Sequence, residues 1–240
     1  MTALHAEWTK SRTVPGTAWL LLGVVTLTVL LGALASSAMA ADADPAKSVL
    51  MGVTLSQAIV VVLAVATVGG EYATGMIRLT LTAVPRRLNM LAAKGIVVTC
   101  LTLAAAVVAV AASLAVGDMV MDDLTLTAGM MRAAVGSVLY LGLIALLSLG
   151  VATVVRDAAA AVGVVLGLLY LTPLVTTLVA DPVWHDRLEK LSPMTAGLAV
   201  QATTNMADQP IGPWQGLGVL GLWAAAALLL GGLTLRFRDA

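Results

Sequence analysis

The sequence predicts an all-α integral membrane protein, and its composition, its apolar runs and the placement of its charges all indicate this. Of the 240 residues, 60% are apolar and 11% are charged, whereas roughly 25% of the residues in a soluble domain are charged. Six long apolar runs contain no Lys, Arg, Asp or Glu. At about 1.5 Å per residue, each run can cross a hydrocarbon core of roughly 30 Å as a helix. We therefore expect six transmembrane helices in a single transmembrane domain, residues 1–240.

The boundaries of the predicted spans follow from the ends of these runs. The spans are residues 17–39, 48–70, 95–117, 133–155, 158–180 and 211–235. The first run also fits a secretory signal peptide, because a basic segment precedes it and Ala38-Met39-Ala40 fits a cleavage site. It exceeds the roughly 7 to 15 apolar residues of a signal peptide, so we predict a retained first span. Only Arg156-Asp157 separates the fourth and fifth spans, which makes them antiparallel neighbours.

The segment before the first span is predicted to be a short interfacial helix. Leu4 and Trp8 are four residues apart and share one helical face, while Lys10 and Arg12 lie on the polar side. This pattern is typical of a helix that lies in the plane of a membrane surface. Pro15-Gly16 then leads the chain into the first span.

Residues 71–94 form a charged loop between the second and third predicted spans. Four of the chain's thirteen Lys and Arg lie here against a single acid, and short cationic loops stay on the cytoplasmic side during insertion. Ile77, Leu81 and Val84 have the i, i+4, i+7 spacing of one helical face, and Pro85 ends that helix. The loop therefore predicts a short amphipathic helix along the inner membrane surface.

Residues 181–208 are predicted to form an external segment before the last span. Asp181-Pro182 indicates a helix start, because Asp caps a first turn and Pro suits the first helical position, and Ser192-Pro193 ends the helix. The following apolar stretch, residues 194–202, is too short to cross the membrane, which favours a re-entrant or interfacial element. The large apolar residues on one face of the helix are Trp184, Leu188 and Leu191.

The distribution of cations predicts the orientation of the chain. With both termini inside the cell, nine Lys and Arg fall on the cytoplasmic side and four fall outside. Cytoplasmic loops carry the excess of Lys and Arg in membrane proteins. We therefore predict a multi-pass protein of the cell (inner, cytoplasmic) membrane, with cytoplasmic termini and a cytoplasmic loop at 71–94.

Several functional classes are disfavoured by what the sequence lacks. No charged residue falls in the middle of a predicted span, whereas ion-coupled carriers usually need such groups. There is no phosphate-binding loop of the GxxxxGK[ST] type, so any ATP hydrolysis belongs to a separate subunit. His5 and His185 lie at opposite faces of the membrane and cannot share a metal or a dyad. We expect no catalytic, metal or cofactor site, no nucleic-acid partner, and a small buried role for Cys100.

The charged loop also resembles a known family. Glu71-Tyr72-Ala73-Thr74-Gly75, then an apolar stretch, Pro85-Arg86-Arg87 and Lys94, is similar to the loop after the second span in permease subunits of the ABC type 2 transporter family, especially the short actinobacterial permeases. Met76 stands where that family usually has Thr, so this sequence lacks the corresponding hydroxyl. The likeness extends over the whole chain in the order and spacing of its segments, including Glu7–Arg12 and the terminal Leu235–Arg238.

This resemblance implies a partner and a role for the loop. It implies a dimer of permease subunits, homomeric or heteromeric, with two ATPase subunits that bind ATP and Mg on the cytoplasmic face. The loop helix would be the coupling helix, with its apolar face in a groove of the ATPase. Its arginines would pair with an acidic rim or with anionic lipid, or serve only as positive-inside anchors. The implied coupling residues are Glu71, Tyr72, Gly75, Ile77, Arg78, Leu81, Val84, Pro85, Arg86 and Arg87.

The resemblance further implies that the external segment dips into the membrane and lines an outer gate, formed by Trp184, Leu188, Leu191 and Pro193. The expected function is that of the membrane subunit of an ATP-driven exporter, and its uncharged spans favour an amphipathic compound, a peptide or a lipid as substrate. The alternative is a non-transporting anchor or sensor that recruits a soluble partner through residues 71–94.

Overall fold

The chain is almost entirely helical where its structure is described. The computed structural model describes residues 3–38, 43–73, 75–76, 87–121, 125, 127–204 and 209–237. These ranges contain ten α-helices, one 3-10 turn and no β-strand. In chain order they are α1 (Ala3–Thr13), α2 (Pro15–Ser37), α3 (Pro45–Val49), α4 (Gly52–Ala73), α5 (Arg87–Val120), α6 (Ala128–Val155), α7 (Ala158–Leu178), α8 (Pro182–Leu191), α9 (Pro193–Leu198), the 3-10 turn Ala199–Gln201, and α10 (Pro213–Phe237).

Six of the helical segments are long and apolar enough to cross a membrane, which confirms the predicted all-α class and the number of spans. They are Pro15–Ser37, Pro45–Tyr72, Leu88–Val120, Ala128–Val155, Ala158–Leu178 and Pro213–Phe237. The second combines α3 and α4, which are separated only by a turn. These helices support the prediction of a multi-pass membrane protein.

The predicted loop 71–94 is helical at both of its ends. Helix α4 continues to Ala73, and α5 begins at Arg87, eight residues before the predicted start at Gly95. Lys94 therefore lies inside α5. Carboxylates on α1 and α4 compensate its charge there. The predicted coupling helix, with Ile77, Arg78, Leu81, Val84, Pro85 and Arg86, lies outside the described residues.

Helix α6 occupies the centre of the bundle. Of an 18-residue apolar stretch in α6, 61% is buried inside the bundle, whereas the corresponding share is 17% in both α2 and α7. Helix α6 packs against α4, α5 and α10, while α2 and α7 lie at the periphery. Cys100 in α5 is exposed on the side of the bundle, so the expectation that its thiol is buried was wrong.

Small residues allow helix backbones to approach closely, as is common where helices pack within a membrane. Gly216 in α10 is the clearest case, because a Cβ atom there would lie 1.9 Å from the carbonyl oxygen of Ala196 in α9. Two residues later, Gly218 faces open space, with no atom within 4 Å of a built Cβ. In α10, helix packing therefore requires a glycine at position 216 but not at position 218.

We expect Gly216→Ala to lower the unfolding temperature, because the added methyl must push α9 away from α10. Overpacking of this kind typically costs about 1 to 3 kcal/mol. The matched control is Gly218→Ala, which should be neutral or slightly stabilising because Ala has the better helix propensity. Thermal unfolding of the purified variants in one detergent compares them, and equal unfolding temperatures would contradict this account of the packing.

Candidate functional site

Lys94 is the most deeply buried cation in the described part of the chain, and it lies where α4 ends and α5 begins. This end of the bundle is called the loop end below. The Lys94 side chain has no solvent exposure. Its Nζ atom donates to Glu71 Oε1 at 2.7 Å, to Glu7 Oε1 at 2.9 Å and to the Thr67 carbonyl oxygen at 3.3 Å. One ammonium group thus joins α1, α4 and α5.

A second lysine completes this ion cluster, defined as Glu7, Lys10, Glu71 and Lys94. Lys10 Nζ of α1 donates to the same Glu71 Oε1 atom at 2.5 Å. The two positive and two negative charges sum to zero. This neutrality favours folding, because an unpaired ion in a dry interior costs several kcal/mol. The Lys10 side chain is 42% exposed, so only Lys94 depends entirely on the protein for its solvation. The cluster exists only when α1 is docked against α4 and α5.

Arg156 also secures the loop end, through the residue of α4 that follows Glu71. It occupies the turn between α6 and α7 with a φ of 63°, a left-handed conformation that is uncommon for a residue with a side chain. Its guanidinium donates to the Thr234 carbonyl oxygen of α10 at 3.1 Å and lies 5.8 Å from the centre of the Tyr72 ring. The last turn of α4 is therefore held by Lys94 and by Arg156.

The structure places three of the predicted coupling residues at this end of α4. Glu71 is buried in the ion cluster, and the Tyr72 ring lies beside Arg156. Gly75 has a φ of 69°, and its amide donates to the Tyr72 carbonyl oxygen at 3.2 Å. A glycine in this left-handed conformation commonly ends a helix, which explains why α4 stops before the loop. Arg87 is the first residue of α5.

Sequence reasoning missed the partners of Lys94. Lys10 was assigned to the polar side of an interfacial helix, Lys94 was assigned to a loop, and Glu7 was given no structural role. A usable signal was present, because Lys94 lies between Ala92-Ala93 and Ile96 in a continuous helical pattern. A charge in such surroundings needs a buried partner. The sequence does not say which carboxylates supply it.

The opposite end of the bundle, called the far end, contains the segment predicted to be re-entrant. Helix α8 begins at Pro182 and is capped by Asp181, whose carboxylate accepts hydrogen bonds from the Val183 and Trp184 amides, as Asp181-Pro182 predicted. Helix α9 and the 3-10 turn then pack against α6, α7 and α10. Ala196 and Val200 are completely buried there. The segment 193–201 is thus part of the core although it is too short to cross a membrane.

A neutral polar cluster lies beneath this segment. The Tyr140 ring of α6 packs on Gly197, where a Cβ atom would lie 2.6 Å from the ring. The Tyr140 hydroxyl donates to Gln57 Oε1, and Gln57 Nε2 donates to the Thr54 carbonyl oxygen and contacts Met194 Sδ at 3.4 Å. These bonds tie α4 and α6 to the start of α9 and satisfy polar groups that burial would otherwise penalise.

The four predicted gate residues lie close together in sequence but differ in their surroundings. Leu188, Leu191 and Pro193 line a cavity of about 380 Å³ together with Trp223 of α10, whose indole Nε1 donates to the Leu191 carbonyl oxygen. Trp184 does not line this cavity. It is 57% exposed and has the Arg187 guanidinium 5.5 Å from its ring. The structure therefore brings three of the four together.

Asp44 ties the start of α3 to the chain after the 3-10 turn. Its carboxylate accepts hydrogen bonds from the Thr203 amide and hydroxyl, from the Thr204 amide at 2.9 Å and from the Ala46 amide at 3.0 Å. Burial raises the pKa of the Asp44 carboxyl, but these hydrogen bonds favour the carboxylate and together hold its pKa below the ordinary value of 3.8.

Comparison with known proteins adds no family to this description. No family model matches the chain, and no curated protein sequence matches it. Among the described residues, no group of three or more His, Cys, Asp and Glu side chains has the arrangement of a metal site. The interpretation of the chain therefore depends on the ion cluster, the far-end segment and the charged loop.

We expect Lys94→Met to destabilise the protein strongly, because Glu7 and Glu71 lose the cation that compensates their burial. Removing one partner of a buried ion pair typically costs about 3 to 5 kcal/mol. The matched control is Lys10→Met, which removes a half-exposed cation and should cost about 0 to 1 kcal/mol. Thermal unfolding in nanodiscs measures both.

The double variant Lys94→Met/Glu71→Gln separates charge from packing. It should recover part of the loss, because one uncompensated carboxylate is removed along with the cation. If the Lys94 and Lys10 variants unfold at the same temperature, the ion cluster does not hold α1 to α4 and α5.

The Asp44 tie should persist at neutral and mildly acidic pH. The folded-state pKa of Asp44 lies below the ordinary value of 3.8. The contribution of its carboxylate to the free energy of unfolding is therefore present above pH 3.8 and is lost as the pH falls through the folded-state pKa. The difference in unfolding temperature between wild type and Asp44→Asn should be constant from about pH 7 to 5 and should shrink only in strong acid. A difference that already shrinks between pH 7 and 5 would contradict the assigned hydrogen bonds.

Proposed function

We propose that this chain is the membrane subunit of an ATP-driven exporter of the ABC type 2 kind, with ATP hydrolysed by separate subunits. In this proposal the loop end faces the cytoplasm, where ATP is available, and the far end faces outward. The charged loop would dock on the ATPase, and α4 and α5 would carry its displacement into the bundle. Orientation, partner and cargo are parts of the proposal, drawn from the cation distribution and the family resemblance.

The observation that carries this proposal is the ion cluster at the root of the loop. The end of α4 and the start of α5 flank the loop, and Lys94, the eighth residue of α5, joins both helices to α1. A partner that pushed on the loop would move three helices together, because separating Lys94 from its carboxylates leaves buried ions unpaired. A membrane anchor has no need for such a rigid connection between its docking loop and its helices.

The far end supports a gate in the same proposal. The segment 193–201 seals the bundle between α6 and α10 with neutral contacts, which can separate without exposing a buried charge. Helices α2 and α7 present extensive apolar surface outside the bundle, which can face lipid or a second permease subunit. An amphipathic cargo agrees with the spans, because the buried polar side chains of the described residues are uncharged apart from Glu71 and Lys94 at the loop end.

We expect the chain, purified from its native membrane, to bring with it an ATPase that carries a phosphate-binding loop. Leu81→Asp should abolish this association, because a charge buried in a protein groove has no partner there. The matched control is Trp184→Asp, which introduces the same side chain at an exposed position of the far end. It should keep the ATPase bound and impair export. Mass spectrometry identifies the partner, and ATP hydrolysis by the complex measures coupling.

Two results would count against the exporter. The first is association with a soluble protein that lacks an ATP site, which would favour the anchor or sensor. The second is a Leu81→Asp variant that retains both ATPase binding and substrate-stimulated hydrolysis, which would leave the loop a membrane-surface element.

A further inference from the structure

A second cavity of the far end has no role in the packing of the helices. It has a volume of about 540 Å³, which is within the range of roughly 300 to 1,000 Å³ that is usual for ligand sites. Its walls come from the α3–α4 junction, from α7, from α8 and from the segment that follows α8. Met194 lines this cavity, whereas the preceding Pro193 lines the separate cavity that contains Leu191 and Trp223.

The walls of this cavity carry opposite charges on different elements. Lys47 lies on α3, and among the described residues no ion-pair partner faces its ammonium group. Glu189 lies on α8, and its nearest cationic group is His185 Nε2 at 3.7 Å, which is charged only when protonated. The Glu189 carbonyl oxygen accepts a hydrogen bond from Thr195, so this part of α8 is fixed against the segment below it.

The third ionised group at the cavity wall, the Asp44 carboxylate, already has hydrogen-bond partners within the protein. Asp44 accepts hydrogen bonds from Thr203, Thr204 and Ala46, so it has little capacity left for a ligand. Lys47 and Glu189 therefore remain as one cation and one anion available at the walls. Between them the lining is largely apolar, with Met51, Pro173, Met194 and Leu198.

We propose that this cavity binds a zwitterionic amphiphile, a molecule whose polar end carries an anionic group and an ammonium group and whose remainder is apolar. The anionic group would pair with Lys47, the ammonium with Glu189, and the apolar part would cover Met51, Met194 and Leu198. A ligand with one charge would pair with only one of these two groups, whereas the zwitterion pairs with both. Lys47 is exposed and the Glu189 side chain is 35% exposed, so water solvates whichever group stays unpaired. The inference rests on the proposed function for the outward orientation, and it names the chemical class of the exported compound.

The probe is dihexanoylphosphatidylethanolamine, which carries a phosphate and an ammonium group on short chains. Binding to the purified full chain is measured by isothermal titration calorimetry in nanodiscs made of phosphatidylglycerol, which lack the ethanolamine group. We expect saturable binding at one site. Dihexanoylphosphatidylglycerol, with the anion alone, and hexyltrimethylammonium, with the cation alone, should each bind about tenfold or more weakly.

Matched variants test the two wall charges. Lys47→Gln and Glu189→Gln should each weaken binding of the probe by about tenfold or more. The controls Lys190→Gln and Asp186→Asn each remove one charge, a cation and an anion, from α8. These two side chains form an ion pair 2.6 Å apart and do not line the cavity. Both variants should leave binding unchanged. The exchange Lys47→Glu/Glu189→Lys should bind better than either single variant, because the probe can reverse its polar end.

The proposal is overturned by an absence of saturable binding, by single-charge probes that bind as tightly as the zwitterion, or by cavity variants that behave like their controls. Adding ethanolamine phospholipid to the nanodisc then identifies the source of the ligand. Competition with the probe supports a membrane lipid as the occupant, and lack of competition supports a soluble amphiphile at the same site. The assay contains no ATPase, so its failure is distinguishable from failure of the exporter proposal.

Discussion

The buried ammonium group of Lys94 is the interaction on which the loop end depends. A lysine without solvent contact needs anionic partners, and no single helix of this bundle supplies both of them. Glu71 comes from α4 and Glu7 from α1, so the charge of one side chain fixes the relative positions of three helices. The short N-terminal helix is therefore tied to the bundle at this end by Glu7 and Lys10, although its side chains are exposed or half-buried as in a surface helix.

The two ends of the bundle are held together by different physical means. Ions in a cluster, with Arg156 beside it, secure the loop end. Close backbone contact, neutral hydrogen bonds and the Asp44 carboxylate secure the far end, where Gly216 meets α9, Tyr140 meets Gln57 and Asp44 binds Thr203. The first arrangement resists separation because unpaired charge is costly, whereas the second tolerates small movements that keep each polar group satisfied. A device that receives force at one end and opens at the other would benefit from this difference.

The sequence was sufficient for features that depend on local pattern. Apolar run length predicted the six spans, and Asp181-Pro182 predicted the start of α8, because a cap and a first-turn proline act within a few residues. It was insufficient for features made by distant residues. Glu7 precedes Lys94 by 87 positions, and no periodicity relates them, so α5 was predicted to begin too late. The far-end cavity was missed for the same reason, since Lys47 of α3 and Glu189 of α8 line one cavity only in the folded bundle.

The chain order of the ion cluster has a consequence for biosynthesis. Both carboxylates are translated before the lysine that neutralises them, so α1 and α4 reach the membrane with acidic groups that have only Lys10 as a partner. Those groups can remain in the hydrated headgroup layer until the ribosome delivers α5. Burial of Lys94 then completes a neutral unit, so the ion cluster needs only residues that are translated before α6. A nascent chain truncated just before Lys94 would lack the charge that closes this unit.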